Sequence, residues 1–182
     1  FELYMQGKLR KESEALTFGS AYDCLLFEAH KFNDLFHVMD DTEIIKEVGG
    51  KNPRVTKVYK EWKAEEKTKA KDKTVVSIED YQQCIDMITR LDESKVLNIY
   101  LDGDYQVEFL QELEIGAEVV PFRGFLDCLG KGFIADSKSS RSVKGFPRDV
   151  RVFGYDIQAF LYTHAFGVKD FYWVVQEKAY TY

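Results

Sequence analysis

The spacing of hydrophobic residues along the chain changes near residue 102. Before this point apolar side chains recur every three or four residues, which is typical of amphipathic helices. The predicted helices begin near Gly19 and Ser20, near Pro53 and after Ser77, and the third of them extends to about Leu91. Loops are predicted over 49–53 and 67–74, and a short helix over 95–100.

The remaining residues alternate between short apolar segments and glycine-containing turns, which predicts strands. The predicted strands cover 105–110, 118–122, 124–129, 133–136 and 170–176, with a loop over 139–146 and a mainly helical segment over 147–166. Helices, then antiparallel strands, then a helix and a strand predict an α/β (α+β) fold with a central mixed β-sheet flanked by helices. We expect one domain, with a helical part over about 1–101 and a sheet-containing core over about 102–182.

The composition favours a packed globular domain rather than disorder. The 182 residues are 45% hydrophobic and 15% aromatic. No apolar segment is long enough to span a membrane, and the N-terminus lacks the apolar segment of a signal peptide. The absence of an initial Met fits a piece of a longer protein. Three widely spaced cysteines without a C-x-x-C motif predict reduced, buried thiols and a cytoplasmic location.

The charge is acidic overall but locally basic. A formal net charge of −6 argues against a general nucleic-acid coat protein. Residues 51–73 nevertheless contain nine Lys or Arg and four acidic residues. This segment has two interpretations: a surface that follows a phosphate backbone, or a solvated helix with ion pairs between successive turns.

The segment FRGFLDCLGKGFIADSK, residues 122–138, concentrates the candidate chemistry. Asp127 and Asp136 lie on two adjacent predicted strands, and Lys138 shares a strand face with Asp136 because strand side chains alternate. Two carboxylates beside an ammonium group can hold a hard divalent cation such as Mg²⁺. The alternative interpretation is a polar hairpin with a surface ion pair.

A second motif follows in GYDIQAFLY, where Gln158 and Tyr162 share one face of the predicted helix. The order D…D-x-K…Q-x-x-x-Y resembles the PD-(D/E)XK nuclease superfamily, in the branch that contains the RecB nuclease domain, lambda exonuclease and RecE (exonuclease VIII). The resemblance extends from about residue 16 to residue 175 and implies a restriction-endonuclease-like core. For Gln158 and Tyr162 the alternative is a helix face that only packs on the sheet.

Two further segments carry the resemblance. ALTFGSAYDCLLFEAHKF, residues 15–32, is similar to the first block of RecE-type phage exonucleases, with Asp23 where the family has a His beside the metal. KNPRVTKVYKEWKAEEK, residues 51–67, is similar to the family's R-x-G-K…W/F segment. The family also places Glu or Gln at the start of the strand YQVEFL. Gln106 occupies that position, and Glu108 on the same face is the alternative carboxylate.

The resemblance implies roles for these residues. Asp127, Asp136 and the carbonyl of Ser137 would bind Mg²⁺, with Mn²⁺ as an alternative and with Asp23, Gln106 or Glu108 as further ligands. Lys138 would lie beside the attacking water, and Gln158 and Tyr162 would flank the site. Candidate phosphate contacts are Arg123, Ser139, Ser140, Arg141 and Lys144, whose alternative is an ordinary polar surface.

The function implied is that of an ATP-independent 5′-to-3′ exonuclease on double-stranded DNA, used in phage or prophage recombination. Its single strands would pass to an annealing protein, and relatives suggest a homo-oligomer in a bacterial or phage-infected cell. Two alternatives stay open: a catalytically weakened DNA-binding module, suggested by Asp23 and Gln106, and an endonuclease of the same fold.

Overall fold

The structure is a computed structural model that describes residues 13–100 and 103–178. The chain divides into two compact units between Ile85 and Asp86. The expectation from the sequence that the chain forms a single domain stays a prediction. In the described part of the chain, no helix is both long enough and apolar enough to cross a membrane.

The first unit is mainly helical, with one small parallel sheet. Its elements are α1 (Glu14–Phe27), α2 (Phe32–Leu35), β1 (Phe36–Met39), α3 (Thr42–Val48), α4 (Lys57–Ala70), β2 (Thr74–Ser77) and the beginning of α5 (Ile78–Glu93). Short 3₁₀ turns cover Ala29–Lys31 and Pro53–Val55. Strands β1 and β2 pair from Phe36↔Thr74 to Met39↔Ser77. The sequence does not predict this sheet, because strands of four residues are too short to show a clear alternation.

Capping residues explain where the helices begin. The Ser77 hydroxyl accepts a hydrogen bond from the Asp80 N–H at 3.0 Å, which confirms the predicted cap of α5. The predicted starts of the two earlier helices are wrong. Ser13 caps α1 before the predicted glycine, and Thr56 caps α4 after the predicted proline. Helix α4 also continues to Ala70, through part of the segment predicted as a charged loop.

The core of the first unit lies between α1, α2 and the small sheet. Its buried members are Ala21, Cys24, Phe32, Phe36 and Val76. The rings of Phe32 and Phe36 stack with their centroids 4.9 Å apart. Cys24, Cys84 and Cys128 are all buried and form no disulfide, as the sequence predicted.

The second unit contains a four-stranded mixed sheet in the order β3-β4-β5-β6. Its elements are the end of α5, a 3₁₀ turn at Val96–Ile99, β3 (Asp104–Ile115), β4 (Glu118–Gly130), β5 (Phe133–Ser140), α6 (Phe146–Phe153), α7 (Tyr155–Phe166) and β6 (Asp170–Glu177). Strands β3, β4 and β5 are antiparallel neighbours, whereas β6 runs parallel to β5. The predicted mixed sheet is therefore confirmed.

Several predicted boundaries in this unit are wrong. The two strands predicted over 118–122 and 124–129 form the single strand β4, because Gly124 stays in the ladder opposite Phe109. Strand β5 extends to Ser140, into the predicted loop. The helical segment is divided into α6 and α7 by Gly154, which has a left-handed φ of 69°.

Helix α7 packs on the sheet through aromatic side chains. Tyr162 and Phe166 contact the ring of Phe109 edge-on, with centroid distances of 5.4 Å and 5.1 Å. Phe109, Leu126 and Ile134 form the buried centre of this cluster. This packing fixes the position of α7 relative to strands β4 and β5.

A buried carboxylate ties together the polar side of the first unit. Asp41 accepts hydrogen bonds from Tyr59 Oη at 2.6 Å and from Arg54 Nε at 2.8 Å. Arg54 also pairs with Glu79. Burial alone would raise the pKa of Asp41, but the hydrogen bonds from Arg54 and Tyr59 hold it below its usual range.

We predict that Asp41→Asn lowers the free energy of unfolding by about 2 kcal/mol at pH 7, because it removes the charge that Arg54 and Tyr59 stabilise. A lowered folded-state pKa contributes stability above the unfolded pKa of about 3.9, and this contribution is lost as the pH falls through the folded pKa. Urea denaturation at pH 7 and pH 3 measures both effects, and the difference should shrink at pH 3. Glu43→Gln, at an exposed ion pair, is the control. A pH-independent difference would contradict this account.

Candidate active site

The candidate active site lies where strands β4 and β5 separate. Their ladder contains only the pairs Cys128↔Ala135, Leu129↔Ile134 and Gly130↔Phe133. Beyond it β4 pairs with β3, and β5 pairs with β6. Asp127 and Asp136 are the first residues past the last pair, one on each strand. The predicted convergence of these two carboxylates is therefore present in the fold.

Asp127 satisfies a backbone group that the separation of the strands leaves without a ladder partner. Its Oδ2 atom accepts a hydrogen bond from the Ser137 N–H at 2.7 Å. In a continuous antiparallel ladder a main-chain carbonyl of the neighbouring strand would take this position. The carboxylate of Asp127 thus bridges β4 and β5 at the start of their divergence.

A backbone irregularity in β3 lies directly opposite. The register between Tyr105↔Cys128 and Val107↔Leu126 places Gln106 opposite Asp127, and the described ladder has no pair at this position. Gln106 has a positive φ of 49°, which is uncommon outside glycine. Strand β4 is irregular at the same level. Leu126 and Leu129 pack on the same hydrophobic cluster, although residues three positions apart on a regular strand point to opposite faces.

The structure places the two polar candidates on β3 in different surroundings. The Gln106 amide nitrogen is buried without a hydrogen-bond partner among the described residues, and the amide lies close enough to Asp127 to lower the pKa of that carboxyl slightly. Glu108 pairs in register with Phe125, and its side chain is exposed. The structure therefore brings Gln106 to Asp127 and does not bring Glu108 there.

Asp136 is the most enclosed carboxylate of the site, with 4% of its surface exposed. It forms an ion pair with Lys138 on the same strand. Its Oδ1 atom accepts a hydrogen bond from Gln158 Nε2 on α7, with a distance of 3.4 Å. The D-x-K and Q-x-x-x-Y motifs, which are separate in sequence, therefore meet at Asp136.

In this site two buried carboxylates, Asp127 and Asp136, share one positively charged side chain, Lys138. Burial and the negative charge of Asp136 raise the pKa of Asp127 to about 7, although the Ser137 N–H and Lys138 oppose this. Burial also raises the pKa of Asp136, against the effect of Lys138. For Lys138 burial lowers the pKa, but Asp136 and Asp127 outweigh it and leave the value above its usual range.

Sequence reasoning missed Tyr155 at the start of α7. The Lys138 Nζ atom lies over its ring, 5.0 Å from the centroid. Tyr155 also stacks against Phe146, with the centroids 5.9 Å apart. The signal that could have found it is the helical spacing, because Tyr155 precedes Gln158 by three residues and so lies on the same side of the helix.

Tyr162 lies beside Gln158 and also belongs to the hydrophobic packing. Its ring contacts Phe109 and Phe122, with centroid distances of 5.4 Å and 5.8 Å. A Cβ atom at Gly124 would lie 3.0 Å from the Tyr162 hydroxyl, so glycine permits the close approach of α7 to β4. Burial raises the pKa of Tyr162, and the neighbouring Gln158 amide partly opposes this effect.

The other predicted residues are more dispersed. Ser140 is buried, and its hydroxyl lies within hydrogen-bonding distance of the Ser142 carbonyl at 3.1 Å and of Asp149 Oδ2 at 3.3 Å. These contacts stabilise the turn after β5, so we do not retain Ser140 as a phosphate contact. The remaining candidates are Arg123, exposed on β4, Ser139, partly buried on β5, and Arg141 and Lys144, exposed after β5. Asp23 lies on α1 of the first unit, and its role as a ligand stays a prediction.

The donor set at the fork between β4 and β5 fits a hard divalent cation. Within residues 13–100 and 103–178, no group of three or more His, Cys, Asp or Glu side chains could hold a metal ion. The fork instead provides two carboxylates and the main chain of Ser137. Mg²⁺ is commonly bound through one or two carboxylates while it retains several waters. The mutual repulsion that raises the pKa of Asp127 is the interaction that such a cation would relieve.

One solved structure shares the fold of this chain. The chain resembles a "putative exonuclease" from Eubacterium rectale, with 21% identity and a TM-score of 0.61, over 97% of this chain and 59% of that chain. The chain thus spans about three fifths of that protein's length, and at this identity the similarity shows the fold alone. The structure of SSO0001 has 19% identity and a TM-score of 0.38, over 89% of this chain and 71% of that chain, which is too low to show a shared fold. No curated protein matches the chain.

A family model covers most of the sequence. The model of a PDDEXK-like domain of unknown function (DUF3799) matches residues 3–170. Together with the shared fold, this match confirms the predicted resemblance to the PD-(D/E)XK superfamily and supports a nuclease. The chain belongs to the PDDEXK-like domain family DUF3799.

Proposed function

We propose that this chain is a metal-dependent deoxyribonuclease that resects double-stranded DNA from the 5′ end. The observation that carries the proposal is the meeting of Asp127, Asp136, Lys138 and Gln158 at the point where β4 and β5 separate. Membership of the PDDEXK-like family supports the reaction class. The 5′-to-3′ polarity and the independence from ATP rest on the resemblance to RecE-type exonucleases.

Asp127 and Asp136 are the residues that would hold the cation, with the Ser137 carbonyl as a main-chain donor. Mg²⁺, or Mn²⁺ in its place, would supply Lewis-acid activation of the scissile phosphate and of water. The protein prepares for this charge by holding two carboxylates together in a desolvated site. Gln158 donates a hydrogen bond to Asp136, and the Ser137 N–H donates one to Asp127. These two bonds fix one oxygen of each carboxylate and thereby orient the other oxygen.

Lys138 acts in this proposal as a donor rather than as a base. Its pKa lies above its usual range, so the side chain is an ammonium group at neutral pH. An ammonium at this position can orient the attacking water and offset the negative charge that develops on the phosphoryl oxygens. Tyr155 contacts the ammonium group of Lys138 with the face of its ring. This contact positions Lys138 without occupying its hydrogen-bond donors.

The wider assignments rest on the resemblance alone. They are a product strand with a 5′ phosphate, a homo-oligomeric assembly, a single-strand annealing partner in recombination, and a place in the cytoplasm of a bacterial or phage-infected cell. Arg123, Ser139, Arg141 and Lys144 are the proposed phosphate contacts nearest in sequence to the site. These assignments are separate from the catalytic proposal, which stands or fails on hydrolysis alone.

We expect the wild-type chain with Mg²⁺ to release label from 5′-labelled linear duplex DNA before it releases label from 3′-labelled duplex. Lys138→Ala should reduce this rate by at least about 100-fold, because it removes the charge that stabilises the transition state. Gel analysis of both substrates over time measures rate and polarity.

Two controls complete this experiment. A covalently closed circle should resist digestion, and its cleavage would indicate an endonuclease. Lys131→Ala, at an exposed lysine in the same hairpin, should retain full activity. No hydrolysis by the wild type in Mg²⁺ or Mn²⁺, with DNA binding intact, would replace the nuclease with a DNA-binding module.

Asp127→Asn should change how stability depends on pH in the presence of EDTA. A carboxyl whose folded-state pKa is raised contributes stability below its unfolded pKa of about 3.9, and this is lost as the pH rises through about 7. The wild type should therefore lose about 2 to 3 kcal/mol relative to Asp127→Asn between pH 5 and pH 8. Urea denaturation at the two pH values measures the difference.

Addition of Mg²⁺ at pH 8 should return this stability to the wild type and much less of it to Asp127→Asn, because the cation binds the ionised pair. Asp170→Asn, at the exposed start of β6, should behave as the wild type in both conditions. Equal stabilisation of all three proteins by Mg²⁺ would remove Asp127 from the proposed cation site.

Replacing Tyr155 tests the support of Lys138. Tyr155→Leu should lower kcat about 10-fold with little change in KM, because the ammonium loses the ring that positions it. Tyr155→Phe retains the ring face and should remain within about twofold of the wild type. Tyr172→Leu, at an exposed tyrosine of β6, is the matched control. A similar loss in the Phe and Leu variants would show that the hydroxyl matters and not the ring.

A further inference from the structure

We propose that a stripe of lysines on α4 binds the phosphate backbone of nucleic acid. The lysine stripe consists of Lys60, Lys63 and Lys67, with the short side chain of Ala64 between them. It belongs to the first unit, whereas the candidate active site belongs to the second. The inference rests on the proposed nuclease function for the identity of the ligand, DNA, and on the structure for the surface.

The spacing of the stripe places its charges on one side of the helix. Residues three, four and seven positions apart share a helix face, and Lys60 and Lys67 lie about 10 Å apart along the axis at 1.5 Å per residue. Lys60, Ala64 and Lys67 are exposed, and Lys63 is partly buried. A small residue in the middle of such a stripe allows a phosphate backbone to approach the helix closely.

Ion pairing distinguishes these lysines from others in the first unit. Lys46 pairs with Glu43 at 2.9 Å, Lys69 pairs with Glu66 at 2.6 Å, Lys57 lies 3.6 Å from Glu61, and Lys31 pairs with Glu28. In the part of the chain that the structure describes, none of the three stripe lysines forms an ion pair within 4.0 Å. Three uncompensated positive charges are thus aligned in a chain whose net charge is −6.

The chemistry of the helix favours nucleic acid over a lipid surface. A helix that lies in a membrane interface must present apolar side chains beside its basic face. In α4, Tyr59 is 4% exposed and Ala70 is 1% exposed, so both are used in the packing of the unit. Val58 is the one large apolar side chain that α4 exposes. Phosphate recognition needs only the aligned charges.

The test measures duplex DNA binding in EDTA, where hydrolysis cannot contribute. Fluorescence anisotropy of a labelled duplex gives the affinity of the full chain over a series of NaCl concentrations. The triple variant K60Q/K63Q/K67Q should weaken binding about 10- to 100-fold near physiological salt. Its slope of log affinity against log salt should fall by roughly two to three, because each lysine that contacts a phosphate contributes about one.

The matched control is K31Q/K46Q/K69Q, which removes the same charge from lysines that are already in ion pairs of the first unit. It should bind DNA within about twofold of the wild type, with an unchanged salt slope. Equal losses in both triple variants would show an effect of net charge alone and would overturn the lysine stripe. Unchanged binding in both would overturn it as well.

Two further measurements distinguish DNA binding by the lysine stripe from lipid binding and from misfolding of the variants. Sedimentation with phosphatidylserine-containing vesicles tests the lipid alternative: loss of vesicle binding with DNA binding intact in the stripe variant would overturn the proposal. Circular dichroism confirms that both triple variants remain folded. If the wild type never hydrolyses DNA with Mg²⁺ while the stripe effect persists, the nuclease function fails and the DNA-binding surface stands.

Discussion

Two like charges held together in a desolvated place are the constraint on which this site depends. Asp127 and Asp136 lie side by side because β4 and β5 stop pairing immediately before them. A sheet that continued its ladder would have no room for carboxylates between the strands and no free N–H to orient them. The separation of the strands is therefore the structural origin of the site, and the surrounding residues respond to it.

The residues around Asp127 and Asp136 stabilise the two carboxylates in different ways. Asp127 accepts a hydrogen bond from the Ser137 N–H, which the separation of the strands leaves without a strand partner. Gln158 on helix α7 donates a hydrogen bond to Asp136. Lys138 neutralises one of the two charges and is itself supported by the ring of Tyr155. Among the described residues the second carboxylate has no cation of its own, and burial together with the charge of Asp136 raises the pKa of Asp127 to about 7. A folded protein keeps such an imbalance only where the rest of the fold offsets its cost, and such imbalances concentrate at functional sites.

The sequence predicts the chemistry of the site better than its geometry. Asp127, Asp136, Lys138 and Gln158 can be identified because their types and spacing form a pattern, and the mixed sheet follows from the order of elements. The positive φ of Gln106 cannot be predicted, since Gln is compatible with a regular strand and only the tertiary register forces the irregularity. The same irregularity separates Gln106 from Glu108, although a period of two places both residues on one face.

The boundaries of the elements show a similar limit. Gly19 lies inside α1 rather than at its start, because Ser13 provides the cap and a single glycine does not stop a helix that is packed along its length.

The burial of the three cysteines has a practical consequence for labelling. Burial raises the pKa of the Cys128 thiol to about 11, and it also raises the pKa of Cys24, so neither provides a reactive thiolate at neutral pH. Cys84 is fully enclosed. Maleimide dyes should therefore not react with the native thiols of the folded chain. A single cysteine introduced on an exposed turn would report on DNA engagement by fluorescence without first removing any natural residue.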